Sequence, residues 1–112
     1  MDTLSIKALS VSTRIGVYAW EQSINQQLLL DISIETDFSG CEDDLSKTID
    51  YAALCEMVTQ FIESRSFQLI ETVANQVAEL IHQQFHVVKV IVGVSKPHAV
   101  NNAGNIQVVI VR

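Results

Sequence analysis

The chain has little proline, little cysteine and no long apolar run. Pro97 is its only proline, and Cys41 and Cys55 are its only cysteines. Two thiols without a close pairing pattern argue against a disulfide scaffold and indicate reduced residues, with Cys55 a small core residue. No apolar stretch is long enough to span a bilayer, and no basic region followed by an apolar run opens the chain. These absences predict a cytoplasmic protein without membrane contact.

Positive charge is also scarce. Seven Lys and Arg residues face thirteen Asp and Glu residues, so the formal net charge is −6. The cations are scattered and form no basic stripe. Nucleic-acid binding requires clustered cations that displace counterions, so this class of function is excluded. The length of 112 residues allows one domain, residues 1–112, with one modest core.

Metal-binding patterns are absent as well. His82 and His86 are four residues apart on a predicted helix and would share a face. However, no Glu follows His82 as in the metalloprotease pattern, and no third ligand is evident. Two surface histidines near a helix C-terminus, where the helix dipole favours them, are the better interpretation. We therefore predict neither a metal site nor a cofactor.

Hydrophobic periodicity predicts six elements in the order β-β-α-α-β-β. Strict alternation indicates half-buried strands, and apolar residues at helical spacing indicate amphipathic helices. Two helices on one face of a four-stranded antiparallel sheet would make an α+β domain of two layers. The alternation slips near Ala8 and Leu9, which predicts a bulge, and Thr48 or Asp50 can cap the first helix. The strands are expected at 4–11, 27–36, 87–95 and 105–111, and the helices at about 50–65 and 69–85.

The last predicted strand is apolar on both faces. Val109 and Val111 accompany Ile106, Val108 and Ile110, although the helices can cover only one face of the sheet. Long apolar edge strands invite pairing with another chain. The sequence therefore predicts a homo-oligomer whose sheets join edge to edge around a partly polar inner surface.

Four side chains are candidates for chemistry. Lys96 precedes Pro97, which ends strand pairing and restricts Lys96 to an extended backbone. Glu21 follows an aromatic, turn-like segment, Tyr51 begins the first helix, and Glu71 lies in the first turn of the second. Each has an ordinary alternative: a solvated lysine, a loop glutamate, a boundary tyrosine, and a glutamate that opposes the helix dipole.

Taken together, these residues resemble a known family. The matching segments are residues 15–22 (IGVYAWEQ), 50–52 (DYA), 67–71 (FQLIE) and 95–97 (SKP). In this order and spacing the chain resembles the dihydroneopterin aldolase family over essentially its whole length. The resemblance implies the tunnelling fold, in which the sheets of four subunits join into a barrel and two such rings stack into an octamer.

The resemblance also implies roles for these residues. Glu71 would anchor the edge of a pterin ring through paired hydrogen bonds, and the Ile70 backbone would add contacts to the ring. Glu21 would bind the hydroxyls of the substrate side chain. Tyr51 would come from the neighbouring subunit, which puts the active site at a subunit interface. Lys96 and Tyr51 would transfer protons, so the implied catalytic residues are Lys96, Tyr51 and Glu21.

The implied reaction is the retro-aldol cleavage of 7,8-dihydroneopterin in folate biosynthesis. The products would be 6-hydroxymethyl-7,8-dihydropterin and glycolaldehyde, with epimerisation at C2′ as a side activity. The dihydropterin imine is itself the electron sink, so neither a Schiff base nor a metal is needed. One departure is His98, where many such aldolases have a small residue and the related dihydroneopterin triphosphate epimerases often have histidine. The epimerase and a non-catalytic pterin-binding ring protein therefore remain alternatives.

Overall fold

The computed structural model describes residues 1–112 as two helices packed on one face of a five-stranded sheet. The strands lie in the order β3-β1-β2-β4-β5 across the sheet. Short 3-10 turns follow β1 and precede α1, at Glu21–Ser23 and Leu45–Lys47. The elements are β1 (Asp2–Ile15), β2 (Gln26–Thr36), α1 (Tyr51–Glu63), β3 (Ser66–Phe67), α2 (Ile70–Gln84), β4 (Lys89–Pro97) and β5 (Asn105–Val111).

The predicted α+β class and the six predicted elements are confirmed, but the prediction of a four-stranded, wholly antiparallel sheet is wrong. The fifth strand, β3, pairs parallel to the end of β1, through Arg14 with Ser66 and Ile15 with Phe67. Two residues are too few to display a hydrophobic period, so the sequence pattern could not reveal this strand. Its consequence is local: β3 holds the start of α2 beside the end of β1.

The core lies between the helices and the covered face of the sheet. Alternate residues of β2 and β4 are buried, as the period of two requires, and the buried positions of both helices recur at helical spacing. The predicted division of β2 into a buried and a wetter face is confirmed. The core residues of β2 and β4 are Leu28, Leu30, Ile32, Ile34, Val90, Val92 and Val94.

Two predicted local features are confirmed. The register of β1 against β2 shifts between Ile6 and Leu9, and Ala8 has a φ of 54°. The Asp31 carboxylate accepts a hydrogen bond from the Ala8 N–H at 2.8 Å, which satisfies the donor that the bulge frees from the ladder. Asp50 caps α1 by accepting from the Ala53 N–H at 3.1 Å.

The prediction that His82 and His86 share a helix face is wrong. Helix α2 ends at Gln84, and Phe85 is already extended, so His86 lies outside the helix. The His82 ring contacts the Arg112 carbonyl oxygen at 3.1 Å. No group of three or more His, Cys, Asp or Glu side chains is arranged to hold a metal ion. The absence of a metal or cofactor stays a prediction.

Both thiols are free, and neither helix is a membrane span. Cys55 is half-buried rather than a full core residue, because it lies at the border of the buried stripe of α1, and burial raises the pKa of its thiol. Neither α1 nor α2 is long and apolar enough to cross a membrane. A cytoplasmic location stays a prediction.

Candidate active site

The centre of the site is an ion pair between Glu21 and Lys96, which are 75 residues apart in the chain. The Lys96 Nζ donates to Glu21 Oε2 at 2.5 Å, and both side chains are largely withdrawn from solvent, at 16% and 7% exposure respectively. Lys96 continues the alternation of Val92 and Val94, so its side chain leaves β4 on the face covered by the helices. Glu21 meets it from the turn after β1.

Hydrogen bonding keeps Glu21 ionised despite its burial. The hydrogen bond from Lys96 is the main cause that lowers the pKa of Glu21 below its ordinary value of 4.5, and burial acts in the opposite direction. The Tyr18 N–H, which donates to Glu21 Oε1 at 3.3 Å, and the Gln26 side chain lower the pKa further. The site therefore presents a carboxylate beside an ammonium at neutral pH, an arrangement suited to binding hydroxyls and moving protons.

Gly16 makes room for this carboxylate. A Cβ at position 16 would overlap the carboxylate carbon and both oxygens of Glu21, and the φ of Gly16 is +134°. L side chains rarely adopt that φ, so glycine is required here for two independent reasons.

The loop that carries Glu21 is tied to the start of α2. The Gly16 N–H donates to the Phe67 carbonyl at 3.1 Å. The Gln22 amide donates to the carbonyls of Gly16 and Phe67 at 2.7 and 2.8 Å. Helix α2 then begins at Ile70, which is buried, while Glu71 in the first turn is exposed. The structure thus brings Glu21, Lys96, Ile70 and Glu71 to one end of the sheet.

In a single chain, Tyr51 lies at the end of the sheet opposite to the Glu21–Lys96 pair. Thr48 and Ile49, just before Tyr51, line a cleft with Thr36 at the end of β2. At the same end of the sheet, Glu35 of β2 pairs with Lys89, the first residue of β4. Lys96 lies seven residues along β4 from Lys89, which is about 23 Å at the usual strand rise. One copy of the chain therefore does not bring Tyr51 to the Glu21–Lys96 pair.

The Glu21–Lys96 site is open in a single chain. None of the four surface concavities is lined by Glu21, Lys96, Glu71 or Tyr51. The largest, of about 890 Å³, is a polar cleft around the Ser64–Gln68 connection. Tyr18 and Trp20, beside Glu21, stack with their ring centroids 6.5 Å apart, yet are 64% and 61% exposed. Exposed aromatic rings beside a withdrawn ion pair indicate a surface that another molecule covers.

Residues 4–111 match the dihydroneopterin aldolase family model. The chain belongs to the dihydroneopterin aldolase family. It is 42% identical to the dihydroneopterin aldolase of Escherichia coli K12, over 100% of this chain and 93% of that one. It is 38% identical to the Haemophilus influenzae enzyme, over 100% of this chain and 97% of that one. A crystal structure of the E. coli enzyme in complex with neopterin superposes with a TM-score of 0.97, covering 100% of this chain and 99% of that chain.

Membership in the dihydroneopterin aldolase family confirms the predicted function. The chain is an enzyme of folate biosynthesis that cleaves a carbon–carbon bond. The tunnelling fold is confirmed by the same structural match. Sequence reasoning missed the positions of Gly16 and Gln22 in this aldolase site. Both residues lie in the matching segment 15–22, but the segment did not show what they contact, because Phe67, the shared partner of Gly16 and Gln22, is distant in the sequence.

His98 directly follows Pro97, the last residue of β4. Its φ is +59°, in the left-handed region where a residue with a Cβ is disfavoured. We expect His98→Gly to raise the free energy of unfolding by about 1 kcal/mol, because glycine removes that strain. Urea unfolding measures the change, with Val100→Ala as a control in the same exposed loop. Equal or lower stability of His98→Gly would mean that the histidine makes compensating contacts.

Proposed function

We propose that Glu21, Lys96 and Glu71 of one subunit, with Tyr51 of the partner subunit, form the active site that cleaves the C1′–C2′ bond of 7,8-dihydroneopterin. The enzyme is then an aldehyde-lyase that releases 6-hydroxymethyl-7,8-dihydropterin and glycolaldehyde. The observation that carries this assignment is the Glu21–Lys96 ion pair, a withdrawn carboxylate and ammonium held together at the open end of the sheet.

Glu71 and the first turn of α2 are the proposed anchor for the pterin ring. A carboxylate can accept two parallel hydrogen bonds from the N3–H and 2-amino group of a pterin. Leu69, at the N-cap of α2, offers no side-chain cap, so the first N–H groups of the helix, including that of Ile70, are free for a ligand. The exposure of Glu71 in the single chain leaves its carboxylate accessible to the ring.

The proposed reaction breaks the C1′–C2′ bond and requires proton transfers at the 2′-hydroxyl, N5 and C1′. The 2′-hydroxyl loses its proton, C2′ becomes the carbonyl of glycolaldehyde, and the electron pair of the C1′–C2′ bond passes to the C6=N5 imine as N5 gains a proton. A proton then adds to C1′ while N5 releases the proton it gained, which restores the C6=N5 imine and gives the hydroxymethyl group. Glu21 holds the side-chain hydroxyls, and Lys96 and Tyr51 of the partner subunit transfer the protons, partly through water.

The proposed site requires an oligomer of the single domain 1–112. One chain keeps Tyr51 at the far end of the sheet from Lys96, so a second copy must supply it. The outer backbone edge of β5 is unpaired, and another strand pairs with the outer edge of β1 only at Arg14 and Ile15. Val109 and Val111 on β5 are exposed. These free edges support joining of the sheets into a ring of four and stacking of two rings into an octamer.

The assay of this proposal measures glycolaldehyde release from 7,8-dihydroneopterin. We expect turnover without added metal and undiminished turnover with a chelator, because the imine of the substrate accepts the electron pair. A chelator that abolishes turnover would contradict the metal-free route. Pterin binding without glycolaldehyde release under either condition would contradict the proposed reaction and favour the alternative of a non-catalytic pterin-binding ring protein.

One observation favours a second candidate activity. His98 occupies a strained backbone position two residues after Lys96, which is the place where triphosphate epimerases often have histidine. The same assay is therefore run with dihydroneopterin triphosphate, and the C2′ configuration of the recovered substrate is determined. We expect the free pterin to be preferred, with some epimer formed by re-addition of glycolaldehyde. A strong preference for the triphosphate would favour the epimerase.

A further inference from the structure

The side-chain amide of Gln22 joins the two chain segments that carry the proposed catalytic and anchoring groups. Its Nε2 donates both to the Gly16 carbonyl and to the Phe67 carbonyl, 45 residues away in the sequence. Gly16 opens the loop that ends at Glu21, and Phe67 lies three residues before Ile70, where α2 begins. The Gly16 N–H donates to the same Phe67 oxygen, so these three residues form one closed hydrogen-bonded unit.

The two hydrogen bonds from the Gln22 Nε2 require the chemistry of an amide. A side-chain NH₂ group has two protons and can donate to two acceptors at once, whereas a carboxylate has none and would repel both carbonyls. The two acceptors are the backbone carbonyls of Gly16 and Phe67, at 2.7 and 2.8 Å from the Gln22 Nε2. Gln22 also follows Glu21 directly, in the same 3-10 turn. A shift of Gln22 relative to Phe67 would therefore move Glu21 relative to α2.

We propose that Gln22 is a positioning residue of the aldolase reaction, whose amide sets the spacing between the Glu21–Lys96 pair and the Ile70–Glu71 edge. This inference rests on the site proposed above. A neopterin spans that spacing, because its ring binds at Glu71 and its trihydroxypropyl chain at Glu21. A pterin without the side chain contacts the Glu71 edge alone. Loss of the Gln22 hydrogen bonds should therefore weaken the binding of ligands that contact both the Glu21–Lys96 pair and the Ile70–Glu71 edge. It should not change the affinity for ligands that contact only the Ile70–Glu71 edge.

The test compares two ligands on Gln22→Met, a change that keeps a long side chain but removes both donors. We expect the Kd of neopterin to rise and kcat for 7,8-dihydroneopterin to fall, each about tenfold or more, since small misplacements of reacting groups are costly. The Kd of unsubstituted pterin stays within about twofold. Pterin and neopterin fluorescence titrations give both affinities. Gln60→Met is the matched control, because the Gln60 amide donates only to Glu56 on the exposed side of α1.

A purely structural role for Gln22 would shift the affinity for both ligands equally or for neither, and either result overturns the inference. If Gln22→Met does not fold, Gln22→Asn decides in the same way, because it keeps the amide but falls one methylene short of the two carbonyls. Glu71→Gln distinguishes a wrong anchor residue from a wrong inference about Gln22. If it leaves pterin binding unchanged, the proposed anchor is wrong and the inference falls with it. If it weakens both ligands while the Gln22 variants do not distinguish them, only the inference is overturned.

Discussion

Replacing Lys96 with methionine is expected to lower kcat for 7,8-dihydroneopterin about 1,000-fold, within the range that a positioned proton-transfer group contributes. Methionine fills a similar space at the end of β4 but can neither donate to Glu21 nor move a proton. Binding of unsubstituted pterin should change little, because the Ile70–Glu71 edge is untouched. Steady-state kinetics and a pterin titration on the same preparation separate the two effects.

The same substitution should raise the pKa of Glu21. In the native protein the hydrogen bond from Lys96 outweighs burial and lowers the pKa of Glu21 below 4.5; without Lys96 burial acts with less opposition, and the pKa should rise. A carboxylate with a lowered pKa contributes stability above about pH 4.5, and this stability is lost as pH falls through the folded value. The difference in free energy of unfolding between native and Lys96→Met protein should therefore be about 3 kcal/mol at pH 7. It should narrow as pH falls, first through the raised pKa of Glu21 in the variant and then through the lowered pKa in the native protein.

Lys89→Met is the matched control for this prediction, since Lys89 begins the same strand at the opposite end. It should leave kcat unchanged and should not move the Glu21 titration, which carboxyl-carbon NMR can follow directly. If Lys96→Met keeps native turnover, Lys96 is a structural partner of Glu21 and not a proton-transfer residue. If turnover falls but the pKa of Glu21 does not rise, the ion pair does not control the charge of the carboxylate.

Much of the fold could be predicted because its elements have one buried face. The alternation from Leu28 to Ile34 identified the covered side of β2, and the bulge at Ala8 was visible as a break in the alternation of β1. Strand β3 could not be predicted, because a two-residue strand has no period. The end of α2 was placed too late, since neither glycine nor proline follows Gln84 to mark it.

For the site, the sequence identified the candidate residues but not the contacts between those that are distant in the chain. Resemblance to the family identified Glu21, Tyr51, Glu71 and Lys96, but it did not reveal that Glu21 and Lys96 form an ion pair, because no local pattern links residues 75 positions apart. The separation of Tyr51 from Lys96 in one chain agrees with its expected origin in the partner subunit. That origin, and the roles of all four residues, stay predictions.

Replacing Gly16 with alanine is expected to lower kcat/KM about 100-fold or more, although no atom of Gly16 is proposed to touch the substrate. The new Cβ would occupy the space of the Glu21 carboxylate, and alanine disfavours the φ of +134°. Either Glu21 moves away from Lys96, or the backbone at residue 16 rotates. Rotation would break the hydrogen bond that the Gly16 N–H donates to the Phe67 carbonyl and the one that the Gly16 carbonyl accepts from the Gln22 amide. Both responses disturb the spacing of the reacting groups.

The chain contains matched controls for this substitution. A Cβ at Gly40 or at Gly104 would meet no atom within 4 Å, and neither residue has a left-handed φ, so Gly40→Ala and Gly104→Ala should retain native kcat/KM. Gly16→Ala should also lower the free energy of unfolding by about 2 to 4 kcal/mol, the sum of backbone strain and a displaced ion pair. Native activity in Gly16→Ala would show that Glu21 functions equally well after displacement, and the Glu21–Lys96 contact would then not be the centre of the site.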